Sequence, residues 1–83
     1  MRKIDKIEGD PLEVKIEELS EALVEARRNP RISAWSPTAS AVFRYLRKTV
    51  PEFSISSEVR VLLEDAVRKK YPLLWERIAA LPL

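Results

Sequence analysis

The 83 residues contain no cysteine and no histidine. Without cysteine there is no disulfide, no thiolate metal site and no cysteine nucleophile. Without histidine the commonest general base and the commonest metal ligand are both gone. Glycine occurs once, at Gly9, so no glycine-rich phosphate loop can be built. Glutamine is absent and Asn29 is the sole asparagine, while Lys, Arg and Glu are abundant, a composition like that of a thermophile's protein. No apolar run approaches the roughly 20 residues of a membrane span. The start, Met1-Arg2-Lys3-Ile4-Asp5, is too charged for the apolar region of a signal peptide. The expectation is a soluble intracellular protein, placed in the cytoplasm.

The chain is short enough for one domain at most, and a short chain buries a small share of its surface. Stability must therefore come from helix packing, and dimerisation is a natural way to add core. The net charge of +2 is unevenly spread. Residues 1 to 26 hold four basic and eight acidic side chains, and residues 27 to 83 hold eleven basic and five acidic ones. That asymmetry is compatible with a basic binding module behind an acidic helix, and equally with helices that solvate charged outer faces.

Taken in order, residues 1–10 have no period and read as an arm. Asp10-Pro11-Leu12-Glu13 is a helix start, with Asp10 as cap, Pro11 in the first turn and Glu13 reaching back. Leu12, Ile16, Leu19, Leu23 and Ala26 then recur at spacings of four and three, predicting a helix over 11–28 that stops at Asn29-Pro30. Arg31 to Trp35 alternate as a short strand would, with Ile32 and Ala34 on one side and Arg31, Ser33 and Trp35 on the other. A plain loop between two helices fits these five residues nearly as well.

Ser36-Pro37 opens the next helix, through about Val50, with Ala39, Val42, Phe43, Leu46 and Val50 as its stripe. Val50-Pro51-Glu52-Phe53 breaks it, with Phe53 under the turn. Ser54 or Ser56 caps a helix of roughly 56–71, whose expected buried face is Val59, Leu62, Leu63, Ala66 and Val67. Arg68-Lys69-Lys70 load its C-terminal turn with cations. After Pro72 a short helix over about 73–81 presents Leu74, Ile78 and Leu81 on one side, and Trp75 packs against a neighbour.

Catalysis is not expected. Glu17, Glu21 and Glu25 share a helical face, but exposed carboxylates at that spacing are ordinarily solvated, and Glu64 and Asp65 face different ways. No zinc, calcium or dinucleotide pattern is present, so no cofactor and no metal are expected.

The phrases Arg31-Ile32-Ser33-Ala34-Trp35 with Pro37, and Ser54-Ile55-Ser56-Ser57-Glu58-Val59, carry a likeness to a known family. Residues 31–67 resemble the ribbon-helix-helix (MetJ/Arc-type) DNA-binding proteins, in which one strand from each of two chains pairs into a ribbon that enters the major groove. The resemblance implies a mainly α fold with one short strand in an intertwined homodimer, to which this chain adds an extra N-terminal and an extra C-terminal helix. Its core would span 31–71, flanked by an accessory helix at 11–28 and the short helix at 72–82.

The resemblance further implies that Arg31, Ser33 and Trp35 face the bases, with Ile32 and Ala34 turned to the dimer core. Ser54, Ser56 and Ser57 would hold a phosphate at a helix N-terminus, and Arg44, Arg47 and Lys48 would add phosphate contacts. The implied function is sequence-specific binding of double-stranded DNA, as a transcriptional regulator, antitoxin or partition protein. A protein partner on the 11–28 helix is a further possibility.

The chain departs from the family in three places: Trp35 is unusual at a base-reading position, Pro51 stands in a turn that usually has glycine, and the outer helices lie outside the family core. The alternative is an all-α four-helix domain acting as a non-enzymatic interaction module or small subunit of an assembly. A histone-like helical dimer fits less well, because Pro72 interrupts the long central helix such folds need.

Overall fold

The computed structural model describes residues 9–82. Residues 1–8 of the expected arm lie outside the described residues. Four helices follow in order: α1 (Ile16–Arg28), α2 (Pro37–Thr49), α3 (Ile55–Lys70) and α4 (Pro72–Ala80). There is no strand among the described residues. The backbone divides into two compact units, one made of Ile32–Asp65 and the other of the described parts of Met1–Arg31 and Ala66–Leu83. The last turn of α3, from Ala66 on, belongs to the second unit.

Local chemistry explains most helix ends. Ser36 has extended backbone (φ −153°, ψ 99°), and its Oγ accepts the Ala39 N–H at 3.2 Å while Pro37 takes the first position of α2. This is the expected N-cap, satisfying a donor that the helix itself leaves free. Ser54 does the same for α3, accepting the Ser57 N–H at 3.2 Å. Of the two serines considered for that cap, Ser54 fills it. α1 closes at Asn29, whose N–H reaches the Glu25 carbonyl at 3.0 Å, and Pro30 prevents continuation.

Three expectations are corrected. The first helix begins at Ile16 rather than residue 11, with Lys15 as its uncapped boundary residue. The Asp10 carboxylate is engaged elsewhere: its two oxygens accept the N–H groups of Leu73 (2.9 Å) and Leu74 (3.0 Å), so it caps α4 instead. α4 needs this help, because its boundary residue Tyr71 makes no side-chain cap of its own.

The second correction is the strand at 31–35. These residues are coil, since a strand exists only with a ladder partner and every regular element in the described chain is helical. The third concerns burial. Leu19, still 7% exposed, is the one buried hydrophobic residue among those described, and α2, α3 and α4 have none. Of the expected α3 face, Leu62 is 50% exposed and Val59 and Leu63 are also open to solvent. Periodicity identifies an apolar face without specifying what covers it.

In the second unit α1 packs on α4, with Leu19 buried and Leu23, Leu74 and Ile78 half-buried. Trp75 is half-buried there beneath the Arg68 guanidinium, 5.2 Å from its ring centre, and the Lys70 ammonium lies 5.6 Å from the Tyr71 ring. Each is a cation held against an aromatic face. Gly9 precedes the Asp10 clamp at φ +149°, a conformation that side chains with a Cβ rarely adopt.

Candidate nucleic-acid interface

The six residues Arg31–Ser36 join the helix–turn–helix formed by α2 and α3 to what precedes it, and all six are exposed. The segment starts where the Arg31 N–H approaches the Asn29 side-chain oxygen at 3.4 Å. It ends in the extended Ser36 that caps α2. Neither proline nor glycine occurs between, so nothing in the covalent chain prevents these residues from pairing as a strand.

Within the Ile32–Asp65 unit, Ile32 and Ala34 line an open groove of about 410 Å³ with Ala39, Phe43, Ile55 and Val59. The groove is mostly apolar and α2 and α3 form its far wall. Ile32 remains 69% exposed on it. Trp35 is 92% exposed and borders a second, smaller recess of about 300 Å³ with Ser36, Pro37, Ser40 and Arg44. The Arg44 Nε donates to Ser40 Oγ at 3.0 Å, which holds the guanidinium beside this recess.

The α2–α3 connection is tight. The Phe53 N–H reaches the Val50 carbonyl at 3.2 Å, Phe53 is half-buried, and Glu52 adopts φ +62°. A left-handed residue at that turn position is ordinarily glycine, and here a glutamate occupies it after Pro51. The turn geometry expected of glycine is thus kept without one.

All nine candidate DNA contacts are solvent-exposed: Arg31, Ser33 and Trp35 on the coil segment before α2, Arg44, Arg47 and Lys48 on α2, and Ser54, Ser56 and Ser57 at the start of α3. Arg44 and Trp35 line one recess. Ser54 and Ser57 meet through the cap hydrogen bond, which engages the Ser54 oxygen. No group of three or more acidic, histidine or cysteine side chains suited to a metal occurs among the described residues. No described helix is long and apolar enough to cross a membrane.

Sequence reasoning missed the link between Asp10 and α4. The available signal was at the other end: Tyr71-Pro72 starts a helix with no Ser, Thr, Asp or Asn to cap it, so an acceptor must come from elsewhere. Comparison with family models, with curated proteins and with solved structures gives no significant match.

Proposed function

We propose that this protein binds double-stranded DNA as a homodimer, with residues 31–35 of two copies paired into an antiparallel ribbon. One observation carries the reading. An exposed segment without regular structure has its apolar side chains Ile32 and Ala34 on the α2–α3 groove, and Trp35 lines the adjoining recess with Ala34, Ser36 and Arg44. The backbone N–H and C=O groups of such a segment can pair with those of a second copy that carries the same pattern.

Size supports a second copy. The Ile32–Asp65 unit is shorter than the roughly 40 residues below which a fold generally needs disulfides, metal or oligomerisation. A second copy would add core to so small a unit without a disulfide. Pairing two segments would bring Ile32, Val42, Val59 and Leu62, all exposed in one chain, into a shared core.

On this reading Arg31 pairs with a guanine edge, Ser33 bonds either a donor or an acceptor, and Arg44, Arg47 and Lys48 bind phosphates. The Ser56 N–H and the exposed hydroxyls of Ser56 and Ser57 at the start of α3 bind a further phosphate. The reaction class is none: the protein acts by binding. Regulator, antitoxin and partition roles all use such a dimer.

The test is duplex binding by fluorescence anisotropy across a salt series, starting from a randomised duplex pool to select a site. Affinity should fall linearly on a log–log scale with salt. Arg31→Ala with Ser33→Ala should remove the preference for the selected site while leaving helicity unchanged. The lack of a strand among the described residues favours a second reading, an all-α interaction module. A monomer without salt-dependent DNA binding would decide for that one.

A further inference from the structure

Between α1 and α4 lies a second groove, of about 350 Å³, that the DNA reading does not use. Its floor is apolar: Val14, Leu19, Ala22, Leu74 and Ile78. Its rim bears the carboxylates of Glu13 and Glu18, with Lys15 as the single cation among the lining residues. Glu17, Glu21 and Glu25 extend the negative charge along the exposed surface of α1. Leu12, next to the rim in sequence, is fully exposed. The Asp10 hydrogen bonds to Leu73 and Leu74 tie the strip leading to Val14 onto α4, beside this groove.

We propose that this groove is the docking site for an amphipathic helical segment of another protein, with lysine or arginine flanking an apolar stripe. Charge decides between occupants. A second copy related by a two-fold axis would set this patch against itself, bringing Glu13 and Glu18 toward their own duplicates. Nucleic acid and anionic lipid are repelled by the same rim. A cationic amphipathic helix satisfies both parts, laying leucine-like anchors at i, i+3 and i+4 on the floor while its cations meet the glutamates. The lining residues of this groove are separate from the candidate DNA contacts at 31–57.

Two synthetic peptides test this on the full chain: a helical peptide with leucine at i, i+3, i+4 and i+7 and lysine beside the stripe, and its twin with every lysine replaced by glutamate. Amide shifts in ¹⁵N spectra report where each lands. The lysine peptide should move the signals of Val14, Leu19, Ala22, Leu74 and Ile78, and the glutamate twin should not. The exposed double variant Glu13→Lys/Glu18→Lys should weaken the lysine peptide by about tenfold or more and favour the twin. Ala22→Arg, at an exposed helical position, should block the groove to the lysine peptide with helicity intact. Equal binding of the two peptides, shifts confined to residues 32–65, or the same floor amides shifting with protein concentration alone would each overturn the proposal. None of these outcomes depends on whether the chain binds DNA.

Discussion

The carboxylate of Asp10 accepts the backbone N–H of Leu73 at 2.9 Å, across 63 positions of sequence. Its second oxygen takes the Leu74 N–H at 3.0 Å. Pro72 has no N–H to offer, so one side chain satisfies the first two free donors of α4. Asp10→Ala should therefore lower stability by about 0.5–2 kcal/mol, as loss of a helix cap generally does. Asp10→Asn should retain only part of that, since its amide has one accepting oxygen and its NH2 would face the second N–H. Urea unfolding followed by circular dichroism checks both.

The serines at the start of α3 should separate by role. Ser54 Oγ is bonded to the Ser57 N–H, so Ser54→Ala should cost about 1 kcal/mol. Ser56→Ala and Ser57→Ala remove exposed hydroxyls and should stay within about 0.5 kcal/mol. If Ser56 and Ser57 contact phosphate, each change should nonetheless weaken duplex binding to every sequence alike. Equal stability losses for all three would show that the cap is shared.

Glu52 holds a left-handed backbone at φ +62°, which costs a residue with a Cβ about 1 kcal/mol or more. Glu52→Gly should raise stability by up to about 1 kcal/mol, less the entropy that glycine adds to the unfolded chain. Thermal unfolding decides, and a clear loss of stability would mean that the glutamate side chain contributes more than its backbone costs.

Trp35, at 92% exposure, makes no packing contribution that its removal should expose. Trp35→Ala should leave stability within about 0.5 kcal/mol. On the DNA reading it should weaken duplex binding about tenfold, because a large apolar surface leaves the interface. A stability loss without an effect on DNA would place Trp35 in the fold rather than at the interface.

Much of the helical framework was legible in the sequence because its punctuation is local. Ser36-Pro37, Asn29-Pro30 and Tyr71-Pro72 mark boundaries by chemistry confined to a few residues, and α2, α3 and α4 begin and end within about two residues of where that chemistry puts them. Asp10 was misplaced for the same reason. A capping aspartate before a proline reads as the start of the helix that follows it, and nothing nearby shows that its acceptor oxygens serve a helix 63 positions away.

Residues 31–35 were ambiguous because alternation over five positions suits both a strand and a loop. Pairing of these residues, as proposed, would depend on a second chain rather than on anything within this one. The candidate DNA contacts inherit that ambiguity. Their exposure is visible in the structure, whereas the sequence pattern only said which of them share a face.

The most direct measurement is amide hydrogen exchange of Arg31, Ile32, Ser33, Ala34 and Trp35 as a function of protein concentration. If two copies pair through this segment, alternate amides should be protected at high concentration and lose that protection on dilution, in step with a fall in mass by analytical ultracentrifugation. Fast exchange of all five at every concentration, in a chain whose α2 and α3 amides stay protected, would contradict the ribbon and leave the all-α module.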